Sequence, residues 1–160
     1  MKRVILFLIS ISMLTLSCKK EGKQADKPKQ IVSFSYSGYN ETDGTVSVEW
    51  SESFVSIQIE KFNGTVAKGA VNIQIENYSG PGVYNLGEKV RMLADNGNSE
   101  GYWQHYYYDS ATPIYGSGSV IIEKLTNDRI EATVNGTLFH NDGLNPRTET
   151  TVKATIASFR

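Results

Sequence analysis

The chain has a single cysteine, only two histidines and four prolines, and each scarcity closes a route. One thiol, Cys18, cannot form an intramolecular disulfide, so stability must come from burial and ladder hydrogen bonds. His105 and His140 have no second His, Cys or carboxylate at ligand spacing. There is no His-Glu-x-x-His and no His-x-His, so no metal ion is expected. No serine lies in a Gly-x-Ser-x-Gly elbow between strand and helix. The oxygen-rich run Asp95-Asn96-Gly97-Asn98-Ser99-Glu100 lacks calcium-loop spacing and reads as a solvated hairpin loop. No stretch beyond Ile31 carries apolar residues at i, i+3, i+4 and i+7 over two capped turns, so helices are not expected there. The one long apolar run, Val4 to Leu16, is shorter than the ~20 residues that span a bilayer. With no catalytic constellation in the chain, neither enzymatic activity nor a cofactor is expected.

What is present begins at the N-terminus. Met1-Lys2-Arg3 is basic, Val4 to Leu16 is apolar, and Leu16-Ser17-Cys18 sets a small residue before the thiol. That order suits an export signal. The boundary resembles the lipobox of bacterial lipoproteins, in which Leu, a small residue and Gly, Ala or Ser precede the lipid-accepting cysteine. Ser17 matches, while Thr15 and Leu16 stand in reversed order, a relaxed box similar to those of small Bacteroidota lipoproteins. The resemblance implies that residues 1–17 are removed and that Cys18 is acylated. The partner at Cys18 would then be membrane lipid, on the periplasmic or surface face of the outer membrane. One acyl chain binds a bilayer only marginally, whereas two or more anchor stably.

Charge divides the remainder. From Cys18 to Gln30 five lysines face Glu21 and Asp26, net +3, whereas from Ile31 to Arg160 nine Lys or Arg face fifteen Asp or Glu, net −6. An acidic body argues against nucleic acid as a partner. Residues 18–30 lack large apolar side chains and read as a flexible, lipid-anchored tether with a reach of about 20 Å. Residues 31–160 form one domain.

The domain speaks strand throughout. Period-two alternation recurs in Val46–Trp50, Val55–Ile59, Val71–Ile75, Val120–Lys124, Ile130–Val134 and Val152–Ile156, which predicts antiparallel sheet with one wet face. Asp43-Gly44, Asn63-Gly64, Gly80-Pro81-Gly82, Asn96-Gly97, Asn127-Asp128 and Asp142-Gly143 supply turns. Gly136 interrupts a run that favours strand on both sides. It is read as a bulge or bend within one long strand, with a hairpin turn at Asn135-Gly136 as the competitor. About nine or ten strands without helices predict a single antiparallel β-sandwich, with a closed lipocalin-like barrel as the alternative.

Three sequence features between Ala70 and Ile156 carry a second likeness: Gly82-Val83-Tyr84-Asn85-Leu86, Gly118-Ser119-Val120-Ile121-Ile122 leading to Asp128, and Gly136-Thr137-Leu138. They resemble uncharacterised small-lipoprotein families of the Bacteroidota, with Leu138 where an aromatic residue is more usual. The resemblance implies location and an all-β fold, and no chemistry.

Five of the nine tyrosines fall between Tyr102 and Tyr115, beside Trp103 and His105. On a strand, Trp103, His105 and Tyr107 share one face, and Tyr102, Tyr106 and Tyr108 the other. One set lines the core. Trp103, His105 and Tyr107 are the candidate ligand-binding aromatics, able to stack on a glycan or anchor an envelope protein. The alternative is that the rings simply pack well on a pleated surface. Asp109-Ser110-Ala111 resembles the short O-glycosylation triplet of exported Bacteroidota proteins, which makes Ser110 a candidate acceptor. The expected function is non-enzymatic binding of a glycan or protein partner in the cell envelope. The alternative is a carrier of a small apolar ligand, needing an internal cavity of ~300 Å³ or more.

Overall fold

The structure is a computed structural model, and it describes residues 30–64, 66–95, 101–109, 111–141 and 148–159. The leader, Cys18, the tether up to residue 29, Ser110 and the turns at Asn96-Gly97 and Asp142-Gly143 lie outside the described residues. The first seven strands are β1 (Ile31–Tyr36), β2 (Tyr39–Glu41), β3 (Thr45–Ser51), β4 (Phe54–Asn63), β5 (Val66–Glu76), β6 (Gly82–Asn85) and β7 (Val90–Asp95). Then come β8 (Tyr102–Gln104), β9 (Tyr106–Asp109), β10 (Thr112–Tyr115), β11 (Gly118–Leu125), β12 (Arg129–Asn141) and β13 (Glu149–Phe159). Among the described residues there is no helix, and every strand ladder is antiparallel. Among the described residues thirteen strands stand where nine or ten were expected. The surplus is in β2, β6, β8, β9 and β10, each three or four residues long, too short for a period-two pattern to register.

Eleven strands make one sheet in the order β2-β1-β13-β12-β8-β7-β5-β4-β3, with β11 beside β12 and β6 beside β11. The sheet is continuous and curls as a half-barrel around one core, an arrangement between sandwich and barrel. Register aligns the apolar alternation of neighbouring strands into inward rows. Ile57 pairs with Ile73 and Ile73 with Met92, while Val32 pairs with Ile156, Ile156 with Ala132 and Ala132 with Ile122. Small residues stand opposite large ones, as Ala154 does opposite Phe34 and Ala94 opposite Trp103. Such alternation fills space without voids.

β12 is the seam. Along one edge it pairs with β13 without interruption from Arg129 to Phe139. On its other edge it pairs first with β11, from Ile130 to Gly136, and then with β8, from Phe139 to Asn141. The sheet therefore forks at Gly136. The strand is single and long through this glycine, as expected. Its ladder to β13 is unbroken there, so Gly136 marks the change of partner and not a bulge. The reason for glycine is space. The link Gly116-Ser117-Gly118 crosses β12 here, and a Cβ on Gly116 would stand 2.0 Å from the Thr137 carbonyl oxygen. A Cβ on Gly136 would stand 2.6 Å from Leu86 Cδ1. Only residues without a side chain let the two backbones pass this closely.

Candidate functional site

β9 and β10 stand apart from the main sheet as a hairpin of their own. Its base is closed by the Gly116 N–H donating to the His105 carbonyl at 2.6 Å. It is seated by Tyr107, whose ring meets that of Phe139 edge-on with centroids 4.7 Å apart. That contact explains why Leu138 and Phe139, consecutive on β12 and so on opposite faces, are both buried. Leu138 enters the core, and Phe139 is covered by the hairpin.

The chain bends at His105 between β8 and β9, so the seven residues from Tyr102 to Tyr108 are not one strand. Of the two sets, that of Trp103, His105 and Tyr107 is the more buried and that of Tyr102, Tyr106 and Tyr108 the more exposed. Trp103 is 7% exposed and belongs to the core, with its ring 4.6 Å from that of His140. His105 is 3% exposed. Tyr107 is half-buried against Phe139. Tyr102 and Tyr108 are the exposed members, with Tyr106 half-buried between them.

Around Tyr106 three grooves adjoin. One of about 360 Å³ lies on the outer face of β5, β7 and β8, where Asn72, Gln74, Arg91 and Gln104 line it together with Tyr102. A second of about 370 Å³ is lined by Glu88, Arg91, Tyr108 and Tyr115. A third of about 290 Å³ is lined by Tyr107, Tyr108, His140 and Asn141 with Tyr102 and Gln104. Tyr106 lines all three. A fourth groove, about 370 Å³, sits apart at the β1–β2 turn beside Tyr36, Tyr39 and Thr150. All four open to solvent.

The floor follows from register. Asn72 pairs with Leu93 and Leu93 with Gln104, while Gln74 pairs with Arg91. These side chains point away from the core because their neighbours Val71, Ile73, Ile75, Met92 and Trp103 point into it. Arg91 is held in place: its Nη2 lies 3.3 Å from Glu76 Oε1, and its Nε donates to the Glu88 carbonyl at 3.3 Å. Asn141 Nδ2 donates to the Tyr102 hydroxyl at 2.6 Å.

His105 lies beneath this surface. Its Nδ1 is 3.2 Å from both the main-chain nitrogen and oxygen of Met92, and Tyr106 covers the ring edge-on at 4.9 Å. Burial pushes the imidazole below its ordinary value of 6.5, opposed by main-chain bonds to Met92 and Gly87 and assisted by the Arg91 charge. As the pH falls through that ordinary value, the unfolded chain binds a proton that the folded chain still refuses. Stability is therefore full above about pH 6.5 and falls as the pH drops below it. We expect the thermal midpoint to decline as the pH is lowered through about 6.5, and His105→Gln to flatten that decline relative to the parent. A parent profile level there would show the ring to be solvated.

Among the described residues, no three or more His, Cys, Asp or Glu side chains gather into a group able to hold a metal ion. Among the described residues, the hydrogen-bond partners of the His105 ring are main-chain groups. The sequence pointed to the tyrosine cluster but not to Asn72, Gln74, Arg91 or Gln104. Their one local signal was position: Asn72 and Gln74 are the outward members of the Val71–Ile75 alternation. That they meet Gln104 depends on strands some thirty residues away.

Comparison with models of known protein families gives no match for this chain, and no curated protein matches it.

Proposed function

We propose that the protein is a non-enzymatic binding module of the bacterial cell envelope, held to the membrane by acylated Cys18 and presenting the surface around Tyr106 to a glycan or protein partner. The observation that carries the binding role is the convergence of three open grooves on one tyrosine, bordered by exposed rings and carboxamides. Binding surfaces combine aromatic area with a few well-placed polar groups in this way. An apolar-ligand carrier has less support. The alternating Val and Ile sets pack against one another in a single buried cluster, and the grooves lie on the outside.

Anchoring rests on the basic start, the apolar run and Ser17-Cys18, and on the likeness of that boundary to a lipobox. Expressed in a lipoprotein-processing bacterium, the full chain takes up labelled palmitate and sediments with membranes, and Cys18→Ala moves it to the soluble fraction. Equal fractionation of the two proteins, with no label incorporated, would refute the anchor. Binding is tested separately, by cross-linking whole envelopes and by probing a glycan array with the Cys18→Ala chain. A surface that retains nothing in either assay is not a binding site.

A further inference from the structure

We infer that the surface around Tyr106 takes an extended, uncharged polysaccharide chain, in preference to a single sugar, an anionic polymer or a peptide. This deepens the binding reading above and rests on it.

The first argument is continuity. The grooves on β5-β7-β8 and beside His140 share Tyr102, Gln104 and Tyr106. The first also shares Arg91, His105 and Tyr106 with the groove beneath Tyr115. Each volume alone sits near the lower limit of ~300 Å³ for a small-molecule site. Joined around one ring, they make a path and not a pit. The span from Asn72 across β7 to Gln104 covers two inter-strand spacings, about 10 Å, before the path turns toward Asn141. That shape suits a polymer lying across the strands.

The second is chemistry. The carboxamides of Asn72, Gln74, Gln104 and Asn141 each offer donors and an acceptor. A sugar hydroxyl has the same dual character, so each amide can satisfy hydroxyls in either sense. The rings of Tyr102, Tyr106 and Tyr108 supply apolar area for the C–H faces of a pyranose. A peptide anchor would ask for an apolar pocket. Among the described residues that line the groove on β5-β7-β8, only Met92 and Leu93 have aliphatic side chains.

The third is charge. Among the described residues that line the three grooves, Arg91 is the one Lys or Arg, and it is already held by Glu76 and by the Glu88 carbonyl. Glu88 itself adds a carboxylate to the lining. Among the described lining residues no unbalanced cation remains to draw in a polyanion. The hairpin, seated on Phe139 and closed at Gly116, holds Tyr106 ready, which lowers the ordering cost of binding.

The test uses the full chain carrying Cys18→Ala and titration calorimetry against neutral gluco-, xylo- and manno-hexasaccharides, the matching disaccharides, and hexagalacturonate. We expect at least one neutral hexasaccharide to bind about tenfold or more tighter than its disaccharide. The binding should be unchanged between about 50 and 500 mM salt. Tyr106→Ala and the exposed-site variant Gln74→Ala should each weaken it about tenfold or more. Gln74→Ala should leave the thermal midpoint in place, which separates lost contact from lost fold. No binding across the neutral panel, equal affinity for dimer and hexamer, or salt-sensitive binding of hexagalacturonate alone overturns the inference. If an envelope protein is instead captured in a Tyr106-dependent manner, the binding module stands and the glycan falls. If the chain captures nothing, both fall.

Discussion

Trp103→Ala is expected to lower the thermal midpoint by about 10–20 °C, the consequence of losing about 3–5 kcal/mol of core packing. Trp103 sits on β8, the short strand that joins the two arms of the sheet, paired with Ala94 on one side and His140 on the other. Its neighbour across β7 is the smallest side chain in that row, so the indole occupies volume that nothing else in the row reaches. Truncation leaves a void between Ala94 and the His140 ring, which now stands 4.6 Å from the indole. The surroundings are paired strands that cannot collapse into it without losing ladder hydrogen bonds. Trp103→Phe should restore much of the loss, because a second ring fills part of the same space. A shift of only a few degrees for Trp103→Ala, measured by scanning calorimetry, would remove the indole from the core and return it to the surface as a ligand contact.

Gly118→Ala should be comparably damaging. A methyl there would stand 2.2 Å from the Asn135 carbonyl oxygen and 2.4 Å from the Gly136 Cα, both backbone atoms of β12 that cannot rotate away. The residue also has φ +129, a region that L side chains rarely adopt. Backbone strain of ~1–3 kcal/mol and overpacking of a similar size act together, for a total of about 2–6 kcal/mol. The fork must open if the methyl is to fit. Because Leu86 donates to the Gly118 carbonyl and Thr137 to that of Ser117, opening it releases β6 and β12 as well. Two further variants grade the effect. Gly136→Ala meets the mobile end of Leu86 and should cost less, while Gly87→Ala meets nothing within 4 Å and should be close to neutral. Urea unfolding of the three variants gives the order directly. Equal midpoints for Gly118→Ala and Gly87→Ala would mean that the backbones at the fork are not in contact.

The two experiments probe the same joint from opposite sides. Trp103 fills the interior where β8 meets β12, and the glycines let the β10–β11 link pass close against the β12 backbone. Together they set where the β9–β10 hairpin leaves the sheet, and so where Tyr106 stands over the carboxamides. A variant that shifts the fork is therefore expected to alter binding without touching a ligand contact.

How much of this was legible depended on range. Val55–Ile59, Val71–Ile75 and Val152–Ile156 announce strands because side chains alternate with a period of two by backbone geometry alone. The same rule assigned Val71, Ile73 and Ile75 inward and Asn72 and Gln74 outward, and the fold agrees. For Trp103, His105 and Tyr107 alternation left open whether their shared face was core or surface. They do share burial, but as core and as the residues beneath the hairpin, because the strand breaks at His105 and a second layer covers Phe139.

By itself, then, the amino-acid order determined an antiparallel all-β body and the inward and outward residues of its long strands, and favoured one long strand through Gly136 over a hairpin turn there. Only the tertiary structure decided that the strands close into one curled sheet forking at that glycine, and that Tyr102, Tyr106 and Tyr108 border the grooves. Alternation is a property of neighbouring residues, whereas the fork and the grooves depend on which distant strands pair. That choice is made by how the whole interior packs.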